Sequence, residues 1–282
     1  MKTATEHISA ALLVGDEKAV ELIAKAGFDA WDYSICDVLD KQLETKTPKE
    51  ASAYCLSLAK KLRQIGLDNG IVCNQSHAPF PVTNPIYRDA LKMSIECTAV
   101  AGGNICVIHP DNNKSAEENA EMYLELLPFA KEHNVKIATE NMWNWNKELD
   151  MSSPAACSSP EDFVKHIRAV NDDYFIACLD IGHCEMKGVN TNAPEMIHAL
   201  GSSLQALHLH DNDKHHDSHQ IPFSMAIDFK KVVLALKEIN YSGYFTLEAN
   251  SFLRNYDPNK TFDGLKELYA SCRKLADMFE NS

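Results

Sequence analysis

The chain has 282 residues, of which 45% are hydrophobic and 24% charged, a composition typical of one large globular domain or two small ones. Its formal charge of -13, from 27 basic and 40 acidic residues, opposes binding to a phosphate backbone, so we expect no nucleic-acid partner. The first residues lack the basic and apolar regions of a signal peptide, and no apolar run approaches about 18 residues, so we expect a soluble, cytoplasmic protein without a membrane partner.

Short β-type runs alternate with amphipathic helical segments along the whole chain, which is the pattern of βα units and a parallel sheet. Capping boxes at Thr47–Glu50 and Ser115–Glu118 predict two of the helix starts. A long loop that carries Trp143 and Trp145 follows the fifth strand. The predicted strands lie within 4–11 and at 30–35, 70–76, 105–108, 135–139, 174–179, 204–209 and 244–247, and the helices begin near residues 16, 47, 84, 115, 159, 194, 228 and 261.

These eight units predict the fold class, an α/β (β/α)8 TIM barrel. No glycine/serine linker or change in composition divides the chain, so we expect a single domain over residues 1–282. A doubly wound open sheet is the alternative, and the lack of a GxGxxG motif after any strand weighs against it. The nine scattered cysteines, without a CxxC pair, are expected to be buried, reduced thiols.

Acidic and imidazole side chains occupy the carboxyl ends of six of the eight predicted strands. In a closed parallel barrel these ends converge on one mouth, so residues far apart in sequence become neighbours. Taken singly, each histidine could be a core residue and each acid a helix cap, and the His-rich stretch after residue 207 could be a solvated loop. Together they predict a shared metal site, and the residues are His77, His109, Glu140, Asp180 with His183, His208 with His210, and Glu248.

The ordered set SHAPF, VIHPD, TEN, CLDIGH, HLHDN, DSH and LEA at these ends resembles the xylose isomerase-like TIM-barrel superfamily, which contains sugar isomerases and epimerases, inosose dehydratases and endonuclease IV. The resemblance covers essentially the whole chain. It implies a metal held by Glu140, Asp180, His208 and Glu248, with His183 oriented toward a substrate. A strand period of two does not separate His208 from His210, and the motif match selects His208.

Three carboxylates and one imidazole with open positions suit Mn²⁺, Mg²⁺ or Co²⁺, which could chelate two adjacent sugar oxygens and acidify the neighbouring C–H. Glu140 and Glu248 would then exchange a proton with the sugar through an enediolate, giving isomerisation or epimerisation. His183 would hydrogen-bond the oxygen on which charge develops. We expect His77, His109, Trp143 and His183 to contact the sugar. Trp145 and Phe80 could also form an apolar wall beside the sugar ring, or they could equally anchor their loops.

Endonuclease IV provides the main alternative function, an AP endonuclease with three Zn²⁺ ions. The resemblance would place those ions on His77, His109, Glu140, Asp180, His183, His208, Asp217, His219 and Glu248. The net charge, HPD where that family has His-Pro-Gly, and IPFSMA after His219 argue against it. An inosose-type dehydratase remains open. A barrel that binds sugar or metal without turnover would be expected to lack one of the two glutamates, and both are present. A small-molecule sugar is the expected partner, and a homo-oligomer is possible although no interface can be recognised.

Overall fold

Ten strands and eleven α-helices form in the part of the chain that the computed structural model describes, which is residues 1–281 with all side chains except that of residue 255. The strands are β1 (Thr3–Glu6), β2 (Ala30–Ser34), β3 (Val72–His77), β4 (Ile105–Val107), β5 (Lys136–Glu140), β6 (Trp143–Asn146), β7 (Met151–Pro154), β8 (Phe175–Asp180), β9 (Leu204–His208) and β10 (Phe245–Leu247). The helices are α1 (Ile8–Val14), α2 (Asp16–Ala26), α3 (Ile35–Leu43), α4 (Pro48–Asp68), α5 (Pro85–Ala101), α6 (Ala116–Glu132), α7 (Pro160–Val170), α8 (Ile181–Glu185), α9 (Ala193–Leu200), α10 (Phe229–Glu238) and α11 (Thr261–Asn281).

Eight strands form one parallel sheet in the order β10, β1, β2, β3, β4, β5, β8, β9. Its end strands meet at Leu209, whose N–H donates to the carbonyl of Thr246 at 2.9 Å and whose carbonyl accepts from the N–H of Glu248 at 3.0 Å. We call this junction of β9 and β10 the seam. The sheet thus closes into the predicted (β/α)8 barrel, and the doubly wound alternative is wrong.

The predicted helix starts at Thr47 and Ser115 are confirmed. The hydroxyl of Thr47 accepts from the N–H of Glu50, and the Glu50 carboxylate accepts from the N–H of Thr47 at 3.0 Å. Ser115 and Glu118 make the same reciprocal pair. Each box satisfies two backbone donors that have no partner inside the helix, which fixes where the chain turns back along the barrel.

Two segments differ from their predictions. The first strand, predicted somewhere within 4–11, is Thr3–Glu6, and Ile8–Val14 forms the unpredicted helix α1. Six of these seven residues are apolar, and a run this short does not separate strand from helix by its period. The loop after β5 contains a hairpin, in which Trp143 pairs with Pro154 and Asn146 with Met151. The helices α3 and α8 were not predicted.

Strand β2 shows how the barrel separates its core from its interior. Trp31 and Tyr33 are fully buried in the main apolar cluster, which includes residues of the surrounding helices α2, α3 and α4. Because side chains alternate along a strand, Asp32 points the opposite way, into the barrel. There it contacts Gln75 and His208, so the alternation of a single strand delivers a carboxylate to the interior.

All nine cysteines are unpaired, as predicted, and only Cys36 is more than marginally exposed. Cys184 is buried and donates to the carbonyl of Ile181. Among the described residues, no helix combines the length and apolar character that crossing a membrane requires.

Candidate metal and active site at the barrel mouth

The carboxyl ends of the barrel strands carry the predicted acidic and imidazole side chains. The last residues of β3, β5, β8 and β9 are His77, Glu140, Asp180 and His208, while Glu248 directly follows β10 and His109 lies just beyond β4. Because all eight strands are parallel, these ends lie on one face of the barrel. The structure therefore brings together the side chains that the sequence placed at six separate strand ends.

Glu140, Asp180, His208 and Glu248 form what we call the central group, in which one potential ligand atom of each lies within 4.8 Å of those of the others. Nδ1 of His208 lies 3.0 Å from Oε1 of Glu140 and 3.5 Å from Oε2 of Glu248. All four residues are buried. The group has three carboxylates but only one imidazole, and the ion-pair partners of these carboxylates are histidines and not lysine or arginine. Its formal charge is therefore negative, which suits a bound cation.

A second group joins His77 and His109 to Glu140. The two Nε2 atoms face each other at 2.7 Å, and Nε2 of His109 lies 3.0 Å from Oε2 of Glu140. Nδ1 of His109 is buried without a hydrogen-bond partner among the described residues. Glu140 therefore links this group to the central group, through Oε2 to His109 and through Oε1 to His208. It also forms a possible ligand set with Cys178 and His208.

A third group, which we call the loop group, consists of His183, His210, Asp217 and His219. Oδ2 of Asp217 is its hub, because Nε2 of His183 and Nε2 of His219 each lie 3.1 Å away. The indole N–H of Trp143 also donates to this oxygen, at 3.3 Å. Asp217 thus ties the hairpin β6–β7, helix α8 and the loop after β9 together at the mouth.

His208 and His210 point toward the same end of the barrel but join different groups. Only His208 reaches Glu140. Nε2 of His210 lies 3.0 and 3.1 Å from the two carboxylate oxygens of Asp180, and its ring stacks on His219 with centroids 3.8 Å apart. The geometry therefore agrees with the choice of His208 for the central group. His210 is an additional site residue, which the His-x-His spacing indicated without defining its role.

The two predicted acid–base glutamates are held ionised. Burial raises a carboxyl pKa, but His208 and His109 oppose this effect and hold the pKa of Glu140 well below its usual range. For Glu248, burial is again the largest influence, and His208, His77 and His219 lower the pKa below the ordinary value. Both groups can therefore act as cation ligands or as proton acceptors near neutral pH.

The loop group contains protonated imidazoles. Burial alone lowers a histidine pKa, yet Asp180 and Asp217 raise the pKa of His183 well above its ordinary value. In His219, Asp217 likewise outweighs burial and raises the pKa to about 9. In contrast, burial lowers the pKa of His109. The mouth therefore combines the protonated imidazoles of the loop group with the ionised glutamates of the central group.

A cavity of about 700 Å³ opens above these groups. Asp180 and His208 are fully buried and are not among the residues that line it, so they lie behind its wall. Trp143 lines the cavity as predicted, and so does Phe80, whose ring packs on His77 and His109. The predicted residues that line the cavity are His77, His109, Glu140, Trp143, His183, Asp217, His219 and Glu248.

Trp145 is a loop anchor, because its ring packs on His215 at 5.4 Å and it does not line the cavity. Sequence reasoning missed the rim that α3 supplies, where Cys36, Asp37 and Asp40 reach the cavity. The amphipathic stretch ICDVLDKQL directly after the second strand is the signal that could have indicated it. None of the described residues that line the cavity is lysine or arginine.

Comparison with known proteins agrees with this architecture. The sequence model of the family described as xylose isomerase-like TIM barrel matches residues 20–272. The chain therefore belongs to this family.

One relative and two solved structures illustrate the likeness. The uncharacterized protein MJ1311 of Methanocaldococcus jannaschii is 26% identical over 267 residues, which cover 88% of this chain and 83% of its own. A D-tagatose 3-epimerase-like protein has a TM-score of 0.69 at 23% identity and covers 98% of this chain and 100% of its own. The IOLI protein with a bound zinc atom has a TM-score of 0.69 at 18% identity over 100% of this chain and 99% of its own, so both structures share the fold.

Proposed function

We propose that the protein is a metal-dependent sugar isomerase or epimerase that acts on a keto-sugar or a polyol ketone. One observation carries the proposal: the carboxylates of Glu140 and Glu248 both line the cavity and both approach Nδ1 of His208, at 3.0 and 3.5 Å. Two ionised carboxylates on the wall of one cavity can take a proton from carbon and later return it, which is what reversible C–H chemistry next to a carbonyl needs. The D-tagatose 3-epimerase-like protein of the same fold supports this reading.

The central group fits a divalent cation by its donor set. Three buried carboxylates and one imidazole, whose partners are histidines, suit Mn²⁺, Mg²⁺ or Co²⁺, and the bound zinc of the IOLI protein is a precedent for a metal in this fold. Glu140, Asp180, His208 and Glu248 would be the ligands. A cation there would polarise the carbonyl of a bound ketone and so acidify the neighbouring C–H.

In this proposal, Glu140 and Glu248 transfer the proton and His183 stabilises the charge that develops on the substrate. One of the two glutamates, Glu140 or Glu248, takes the proton from carbon, and the substrate becomes an enediolate. The other glutamate, or the same one, returns it: to the neighbouring carbon for isomerisation, or to the opposite face of the same carbon for epimerisation. His183 lines the cavity and is the proposed hydrogen-bond donor to the substrate oxygen that gains charge; its Nε2 lies 3.1 Å from Oδ2 of Asp217, so the substrate would share this N–H with Asp217.

The lining of the cavity favours an uncharged substrate. Asp37, Asp40 and Asp111 lie along its wall, and none of its described lining residues is lysine or arginine. Recognition of a phosphate group in proteins usually relies on arginine, lysine or a run of backbone N–H groups. We therefore infer that a free sugar binds better than its phosphate ester. His77, His109 and Trp143 are the proposed contacts to its hydroxyls and carbon face.

An AP endonuclease with three Zn²⁺ ions is the second candidate, because several clusters of ligand-type residues lie side by side at the mouth and Asp217 and His219 belong to one of them. The acidic cavity wall and the net charge of -13 argue against a DNA substrate. An inosose-type dehydratase uses the same first step as our proposal, since an enolate can expel a β-hydroxyl group instead of regaining a proton.

Deuterium exchange tests the proposal directly. We would incubate the protein with Mn²⁺ and a panel of free ketoses in D₂O and follow by NMR which carbon gains deuterium. Exchange at C1 indicates isomerisation and exchange at C3 epimerisation, while loss of water indicates the dehydratase. We expect Glu140→Gln and Glu248→Gln each to lower the rate about 100-fold or more, whereas Glu132→Gln, the same change at an exposed helix end, should not.

Metal content distinguishes the two candidate functions. About one Mn, Mg or Co per chain, diminished in Glu140→Gln, agrees with the sugar enzyme. Nearly three zinc ions per chain, together with cleavage of an abasic-site duplex and no ketose exchange, would replace it with the nuclease.

A further inference from the structure

An irregularity in the sheet lies directly beneath the central group. Strands β2 and β3 pair Trp31 with Cys73 and then Asp32 with Gln75, so Asn74 is an extra residue in β3. Such a bulge breaks the alternation of side chains at one point. Neighbouring residues of β3 can therefore both face the barrel interior.

The side chains of Asn74 and Gln75 both make contacts inside the barrel. The Asn74 amide donates to the hydroxyl of Thr246 at 2.9 Å, on the far side of the interior. Nε2 of Gln75 lies 3.0 Å from Nε2 of His208. The side-chain oxygen of Gln75 accepts from Asn74 and Thr246, each at 3.4 Å, which orients its NH₂ group toward His208.

Asp32 is the charged member of this layer. It is 1% exposed, and its Oδ2 accepts from the amide of Gln75 at 3.0 Å and lies 3.5 Å from Nε2 of His208. Its Oδ1 is buried without a hydrogen-bond partner among the described residues. A buried carboxylate with so few partners destabilises the folded state, which marks Asp32 as a candidate functional group.

We propose that Asp32, held in place by Gln75, is a positioning residue that presents Nδ1 of His208 to a cation in the central group. An imidazole can bind a cation through Nδ1 only when its proton is on Nε2, and that buried N–H needs an acceptor. The NH₂ group of Gln75 can only donate, so in the metal-free protein Nε2 of His208 accepts from it and the ring proton lies on Nδ1; a cation at Nδ1 would require that proton to move to Nε2 and the 3.0 Å contact with Gln75 to open. Oδ2 of Asp32 is the acceptor within reach, so the carboxylate selects both the tautomer and the ring orientation. This inference rests on the metal site of the proposed function.

Direct metal binding tests the inference without reference to turnover. We would measure the Mn²⁺ affinity of chelator-treated protein by competition with a fluorescent chelator, for the wild type, Asp32→Asn and Asp32→Leu. Loss of a partner of this kind typically weakens metal binding about 10- to 100-fold, so we expect Asp32→Leu in that range. Asp32→Asn, which keeps a neutral acceptor of the same shape, should be intermediate. Thr5→Val, an isosteric change at a buried hydroxyl without a partner, is the control and should bind as the wild type does.

The tautomer of His208 gives a second readout. In the Zn²⁺-loaded protein with ¹⁵N-histidine, we expect metal at Nδ1 and the proton at Nε2. Metal at Nε2, or unchanged Mn²⁺ affinity in folded Asp32→Leu and Asp32→Asn, overturns the inference. A wild-type protein that binds no divalent cation overturns both this inference and the proposed function. Weakened binding in the Asp32 variants without any ketose exchange supports the inference while the proposed function fails.

Discussion

A Cβ atom on Gly182 would lie 1.9 Å from Cε1 of His210, far inside van der Waals contact. Gly182 belongs to α8, next to the metal-type residues Asp180 and His183, and the His210 ring is fully buried against His219. A methyl group at residue 182 would therefore have to displace a buried, stacked ring. The absence of a side chain at residue 182 is what lets the histidine reach Asp180.

Gly182→Ala should lower the free energy of unfolding by about 1–3 kcal/mol, the usual range for overpacking, and should weaken metal binding through displaced Asp180. Urea denaturation of the chelator-treated protein measures the first effect. The double variant Gly182→Ala/His210→Ala is the control, because removing the ring makes room for the methyl group. If the two changes add simply, steric conflict with His210 is not the cause.

Glu6 gives the protein a pH dependence that is independent of catalysis. Burial raises its pKa to about 7, although the N–H of Ser9 donates to it at 2.9 Å and lowers it somewhat. Between the ordinary value of 4.5 and 7, the folded protein keeps a proton that the unfolded chain releases, so the free energy of unfolding falls as pH rises through this window. Glu6→Gln removes this dependence. Relative to the wild type, the variant should gain about 2–3 kcal/mol between pH 5 and pH 8.

Urea denaturation at both pH values, in chelator-treated protein, measures the Glu6 effect. Glu132→Gln, at an exposed helix end, should follow the wild type at both. If the free energy of unfolding changes equally with pH in the wild type and in Glu6→Gln, then Glu6 ionises in the folded protein without destabilising it, and the prediction is wrong.

Asp217 controls the protonation of the loop group. In the metal-free protein, Asp217 outweighs burial and raises the pKa of His219 to about 9. This pair stabilises the fold fully below the ordinary value of 6.5, and its contribution is lost as pH rises through 9. Asp217→Asn removes the charge, so the pKa of His219 should fall by NMR titration and the stability loss above pH 6.5 should shrink. Asp213→Asn, in the same loop but paired with exposed His216, should leave His219 unchanged.

Trp143 should matter for substrate affinity more than for metal binding, because it lines the cavity but belongs to none of the ligand groups. If the protein turns over a ketose, Trp143→Ala should raise KM roughly tenfold, which corresponds to about 1.4 kcal/mol of lost contact. Trp143→Phe keeps a ring and should lose less. Trp145→Ala is the comparison, since this ring packs on His215 outside the cavity. Equal increases in KM for Trp143→Ala and Trp145→Ala would mean that both rings only stabilise the hairpin and that Trp143 makes no separate contact with the substrate.

The sequence predicted the barrel and most of the site for the same reason. Apolar runs such as LQALHL end in side chains that a barrel core does not tolerate, and in a parallel barrel all such ends meet. Glu140 and His208 could therefore be placed together although 68 positions separate them. Parity alone could not separate His208 from His210, because both lie on the same face of the strand.

What the sequence did not predict lies away from the strand ends. Asp37 and Asp40 reach the cavity from α3, whose nine residues could be recognised as a helix but not as a rim. The role of Asp32 depends on the bulge at Asn74, and the polar run at 74–76 has no apolar alternation in which a shift by one residue could be recognised. Which residues pair between neighbouring strands is determined by the closed sheet as a whole, so it cannot be predicted from the sequence of one strand.

The seam affects how firmly the barrel is held closed. Each other junction in the eight-stranded sheet has at least two register pairs, whereas β9 and β10 share the single bridge between Leu209 and Leu247. His208 ends one of these strands and Glu248 follows the other, so a ligand held by both side chains fastens the barrel where its backbone ladder is shortest. Amide hydrogen exchange at Leu209 and Glu248 should then slow when the site is filled. In this barrel, filling the mouth would also stabilise the junction that closes the wall.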